Sequence, residues 1–113
     1  MKGNTQIKSP KGNTMRKYTV IIPMPEGDEK RFTVEGKTDR AVKMNAKKLI
    51  GEIYEGTAMF GFEGGKKKLK WKGPYPMRIR DEYYKHAFEC EIKGSSDPRF
   101  PWNTNRIAYL FPE

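Results

Sequence analysis

The chain is poor in the residues from which most small active sites are built. It has one cysteine, Cys90, and one histidine, His86, among 113 residues. A single thiol excludes an intrachain disulfide and fits a reducing compartment. One Cys and one His cannot supply the ligand set of a usual zinc site, so no metal is expected. No apolar run approaches the ~18 residues that a bilayer-spanning helix needs. The polar, glycine-bearing residues 1–15 hold no apolar block of the signal-peptide kind. The expectation is a cytoplasmic protein that does not engage membranes. A glycine-rich phosphate loop and a nucleophile-elbow serine are both missing. No cofactor is therefore expected, and nucleotide and Ser-His-Asp chemistry fall away.

What the chain does have is positive charge. It carries 23 Lys and Arg against 14 Asp and Glu, a formal net charge of +9. Residues 1–25 contribute +5 without an acid, and residues 64–80 contribute +7 without an acid, which leaves the remainder at −3. Charge concentrated in this way gives a directed field rather than a diffuse one. Hydrophobic residues make up 35% and charged residues 33%, so a core must be small and must lean on the 12% of aromatics.

Residues 1–15 read as a flexible basic arm with a short repeat, Lys2-Gly3-Asn4-Thr5 and Lys11-Gly12-Asn13-Thr14. Such a composition buries too little to order itself. Residues 16–113 read as one domain. Tyr18, Val20 and Ile22 alternate along a first strand, and Phe32 and Val34 along a second; the glycine turn between them predicts a hairpin. Thr38 or Asp39 is positioned to cap a helix. Val42, Ala46, Leu49, Ile50 and Ile53 then recur at helical spacing over residues 40–54, with Gly56 as the expected C-terminal cap. Arg40, Lys43 and Lys47 are expected on its solvated outer face.

Residues 57–62 predict a third strand, and Gly73-Pro74-Tyr75-Pro76 predicts a break. Residues 77–85 are ambiguous: Met77 and Ile79 alternate with Arg78 and Arg80 as in a strand, while residues 81–85 also fit a short helical turn. His86, Phe88, Cys90 and Ile92 share a face of a further strand, and residues 106–111 form the last one. The fold class is α+β: a β-hairpin, one amphipathic helix, then three or four mostly antiparallel strands in a two-layer sandwich.

The segment from Gly64 to Gly73 holds the strongest binding signal. As a strand it would place Lys66, Lys68, Lys70 and Lys72 on one face and Leu69 and Trp71 on the other. An ammonium would recur about every 6.7 Å along that face, a spacing suited to a row of phosphates. Lysine suits the task because it is a flexible point charge that need not match base edges. Trp71 shares the Leu69 face and is expected in the core. Arg78 and Arg80 would extend the basic surface if the Pro-rich turn folds the chain back, with Lys11, Arg16 and Lys17 added from the arm and the first strand. Tyr75, Tyr83 and Tyr84 are candidate exposed rings on which bases of a single strand could stack.

An enzyme is not expected. The best catalytic cluster is His86 with Tyr84, Lys85, Glu89, Arg78 and Arg80, suited at most to metal-independent RNA cleavage. The parity of His86 with Phe88 and Cys90 places it instead toward the core or its rim. The expected function is non-enzymatic binding of DNA or RNA through the phosphate backbone, without strong sequence specificity. The alternative is a small adaptor or inhibitor, of the kind phages and mobile elements encode, that blocks a larger host protein. It would use an acidic surface or nucleic-acid groove of that partner, contacting it through Arg99, Phe100, Trp102, Tyr83 and Tyr84. Phe100 and Trp102 also fit a lid on the small core.

Overall fold

Alternating β-branched and aromatic residues fold the start of the chain as a hairpin. In a computed structural model that describes residues 15–55, 69–92 and 105–113, β1 (Arg16–Pro23) pairs antiparallel with β2 (Glu29–Gly36) over its full length. Tyr18 lies opposite Val34 and Val20 opposite Phe32, so the inward residues of both strands share one face. The connection closes through Met24 N to Asp28 O at 2.7 Å and Gly27 N to Met24 O at 2.9 Å. Gly27 sits at a φ of +119°, which a side chain would strain.

The helix α1 (Asp39–Tyr54) is capped by Thr38, whose hydroxyl accepts from Ala41 N at 3.0 Å. Val42, Ala46 and Ile50 are fully buried, joined by Tyr54, while Leu49 and Ile53 pack partly buried against the same cluster. This stripe lies on β2 and β1. The far end is tied down by polar contacts: the Tyr54 hydroxyl donates to Pro23 O, and Arg106 donates to Met24 O at 2.7 Å.

Three described strands complete the sheet: β3 (Lys72–Ile79), β4 (Glu82–Ile92) and β5 (Arg106–Pro112). The sheet is antiparallel throughout, in the order β2-β1-β5-β4-β3. The last strand in sequence is therefore the middle one in space. The α+β class holds: the described residues form one helix packed on an antiparallel sheet. The arm at residues 1–14, the strand expected at 57–62, the Gly56 cap, and the loop with Phe100 and Trp102 lie outside the described residues.

Two expectations need correction. Gly73-Pro74-Tyr75-Pro76 does not break the chain but runs inside β3. β3 is an edge strand, where a proline's missing N–H costs no ladder bond. Residues 81–85 form no helical turn: Ile79 pairs with Glu82 across a two-residue turn, with Arg80 at a φ of +59°. The register between β3 and β4 also shifts twice, once between Lys72 and Tyr75 and once between Tyr75 and Met77. Each shift is one extra residue, in β3 near Gly73 and in β4 near Lys85 and His86, and each reverses the parity of the residues beyond it.

The sheet is buried on both faces. On the α1 side the core includes Val20, Ile22, Phe88, Cys90, Ala108 and Leu110. On the opposite side Ile21, Ile79, Ala87 and Phe111 form a second cluster, with Met77, Tyr84 and Tyr109 against it. Burial pushes the Cys90 thiol up to about 11, leaving almost no thiolate at neutral pH. A disulfide-exchange reagent added to native protein is therefore expected to label Cys90 at the rate of unfolding, and denaturant should make labelling immediate.

A clamp crosses the second cluster. The Arg80 guanidinium grips the Glu29 carboxylate through two hydrogen bonds, one from Nε at 2.8 Å, linking the β3–β4 turn to the start of β2. This bonding holds the Glu29 carboxyl below its ordinary value. A depressed carboxylate contributes stability above its unfolded value, and that contribution disappears as pH falls through the folded one. Both side chains are well exposed, at 51% and 35%, so screening holds the clamp to about 0.5 kcal/mol. Glu29→Gln is expected to remove a small loss of stability otherwise seen on acidification from about pH 6 to pH 3, read by urea unfolding. An identical pH profile in the variant would show the clamp to be inert.

Candidate functional site

Among the described residues α1 carries more cationic side chains than β3 does. The helix carries Arg40, Lys43, Lys47 and Lys48 against Asp39 and Glu52. Lys43 and Lys47 are half-buried, which corrects the expectation of a solvated outer face. They face the chain as it enters the fold at Leu69. The Trp71 indole N–H donates to Lys43 O at 3.0 Å, and Lys47 Nζ donates to Leu69 O at 3.4 Å. The Lys43 ammonium sits 4.1 Å from the centre of the Phe88 ring, where the ring's negative face attracts it. Leu69 is buried, Trp71 packs against the main core, and Lys70 between them is exposed. An open groove of about 470 Å³ runs beside the helix, lined among the described residues by Met44, Asn45, Lys47 and Lys48.

The lysine row is divided. Lys66 and Lys68 lie outside the described residues, as do Lys11, Arg99, Phe100 and Trp102. Lys72 opens β3 opposite Glu89, and with Glu89, Glu91 and Ile107 it lines a shallow groove of about 190 Å³ on the face away from α1. That face also carries Glu35 and Glu113, the latter accepting from Thr19 and Thr33 hydroxyls. It is a mixed surface with no cationic excess.

Arg78 does not extend the face of Lys72. It pairs with Tyr83, while its neighbours Met77 and Ile79 enter the second cluster, so Arg78 and Tyr83 point to the α1 side. The bulge near Gly73 is the reason, since one inserted residue exchanges the two faces. Arg80 is engaged by Glu29. Arg16 donates to Asp39 Oδ1 at 3.2 Å, beside the Tyr18 hydroxyl at 2.9 Å on the same oxygen. Lys17 is exposed opposite Glu35.

The three tyrosines also separate. Tyr84 turns inward and stacks on Phe111 with ring centres 3.9 Å apart, its hydroxyl donating to Glu82 at 2.7 Å. Tyr75, 48% exposed, pairs with Ala87 on the face away from α1. Tyr83 is 59% exposed on the α1 side.

The cluster expected around His86 is not assembled. Tyr84 faces Phe111, Arg80 faces Glu29, and Glu89 lies opposite Tyr109 on the other side of the sheet. His86 itself is exposed, not core-facing. The extra residue in β4 turns both Lys85 and His86 outward before the alternation resumes at Ala87. Among the described residues no group of three His, Cys, Asp or Glu side chains could hold a metal ion, and no helix is long and apolar enough to cross a membrane.

The roles of Lys43 and Lys47 escaped the sequence. The legible signal was Trp71: a core-facing indole needs an acceptor, and the helix backbone supplied it.

No protein-family model, curated protein or solved structure matches this chain.

Proposed function

We propose that this chain is a small, non-enzymatic, cytoplasmic binding protein that contacts nucleic acid through the phosphate backbone without strong sequence specificity. The observation that carries the reading is the junction of Lys43 and Lys47 with Leu69 and Trp71. It seats Leu69 and Trp71, which flank the exposed Lys70, against the lysine-bearing α1, and the sequence puts Lys66 and Lys68 just ahead of that junction. Among the described residues only Arg16 and Arg80 form salt bridges, which leaves the helix lysines and Lys70 without carboxylate partners.

The contacts proposed are Lys66, Lys68 and Lys70 with Lys47 and Lys48, aided by Arg78 on the same side of the sheet. Lys72 contributes less, because Glu89 and Glu91 line its groove. Arg16 and Arg80 are partly neutralised by their carboxylates, and Lys11 and Lys17 add to the net positive charge. Nothing in this set reads base edges, so affinity should follow phosphate count and salt rather than sequence.

The direct test is affinity capture from lysate with and without nuclease. Recovery of DNA or RNA that nuclease abolishes supports the proposal. A protein partner that survives nuclease, and is released by Trp102→Ala, would establish the adaptor or inhibitor reading in its place.

A further inference from the structure

The β3–β4 hairpin presents an exposed ring opposite an arginine. Tyr83 is the most exposed of the large hydrophobic residues described, at 59%, and lies directly opposite Arg78 in the register. Cross-strand partners of this kind have Cβ atoms about 5 Å apart. Neither side chain has a hydrogen bond or ion pair with another described residue. The hairpin beneath them is fixed, because Met77, Ile79 and Tyr84 alternate with them and pack into the second cluster. At the turn end of the hairpin the carboxylates are Asp81 and Glu82, and Glu82 is turned away to the Tyr84 hydroxyl, while Glu89 and Glu91 lie at its far end on the opposite face. Lys85 and His86 are exposed just beyond, where the bulge turns them outward.

A solvent-facing phenol paired across the strands with an arginine matches the chemistry of an unstacked nucleobase and its phosphate. The ring offers a flat face to any base, and the cation neutralises the adjoining backbone. A duplex keeps its bases stacked and cannot use the ring. We propose that the Arg78–Tyr83 pair is a base-stacking site that selects single-stranded over double-stranded nucleic acid. This rests on the reading of the protein as a phosphate-backbone binder and adds the strand state that it prefers.

The test compares a fluorescent single-stranded oligonucleotide with a duplex of equal length, by anisotropy at about 50 mM salt. Tyr83→Ala is expected to weaken single-strand binding about 5- to 100-fold, with duplex affinity unchanged. Tyr83→Phe, which keeps the ring, should retain single-strand affinity, and Arg78→Gln should weaken both forms. The stacking site is overturned if Tyr83→Ala leaves the ratio of single-strand to duplex affinity unaltered while salt-sensitive binding persists. Failure of the wild-type protein to bind either oligonucleotide would overturn the backbone reading and this inference together. Loss of a nuclease-resistant protein partner on Tyr83→Ala, with oligonucleotide affinity intact, would assign the hairpin to protein docking and overturn it as well.

Discussion

Raising salt from about 50 to 200 mM is expected to weaken nucleic-acid binding about 10²- to 10³-fold, the consequence of neutralising roughly four to six phosphates on a duplex. The logarithmic slope should lie near −4 to −5, and each contacting lysine replaced by Gln should reduce its magnitude by about one. The fold orders these substitutions. Lys47→Gln, Lys48→Gln and Lys70→Gln should each flatten the slope, because all three belong to the α1 flank and the segment beside it. Lys72→Gln should flatten it less, since Lys72 opens the opposite face next to Glu89 and Glu91. The combined Lys66, Lys68 and Lys70 variant should lose most of the salt dependence. An ordering in which Lys72 dominates would shift the interface to the other face of the sheet and refute its placement on the α1 flank.

The second large effect is on stability. Gly73→Ala is expected to cost about 2–4 kcal/mol in urea unfolding, from two additive causes. Gly73 holds a φ of +134°, a region that L side chains rarely adopt. A Cβ there would also stand 2.7 Å from Ala87 O and 3.1 Å from Phe88 Cδ2, neither of which can retreat without moving β4 or the main core. Gly27 separates the causes, since its φ of +119° is similarly unfavourable but nothing lies within 4 Å of its Cβ position. Gly27→Ala should therefore show the backbone strain alone, about 1–2 kcal/mol. Equal losses at the two sites would mean that the close approach to Ala87 carries no energy. The bulge at Gly73 also has a functional consequence, because it exchanges the faces of β3 and sends Lys72 and Arg78 to opposite sides.

Much of the local structure was legible. The alternation of Tyr18, Val20 and Ile22, the Thr38 cap, the stripe from Val42 to Ile53 and the inward parity of Leu69 and Trp71 all arise from short-range periodicity. So does the class of fold. Parity does not carry across an irregularity. Parity groups His86 with Phe88, yet one extra residue in β4 turns His86 outward; a fold-back at the Pro-rich turn would bring Arg78 to the Lys72 surface, yet β3 runs through that turn and one extra residue in it sends the two to opposite faces. The register of a bulge is set by packing against a neighbouring strand that the sequence does not identify. The burial of Ile21 and Phe111 was hidden for a related reason. Both have the parity expected of an exposed face, and only a sheet covered on its second side gives them neighbours.

By itself, the sequence determined the two strands of the first hairpin, the helix that follows them, the exclusion of disulfide chemistry within the chain, and where along the chain the positive charge lies. Those properties depend on residues close in sequence, and on their number. The tertiary structure alone decided that the last strand takes the centre of the described sheet, that Lys43 and Lys47 meet Trp71 and Leu69, and that Tyr83 rather than Tyr84 reaches solvent opposite Arg78. These are properties of which distant residues become neighbours, and hydrophobic burial on both faces of one sheet is what chose them.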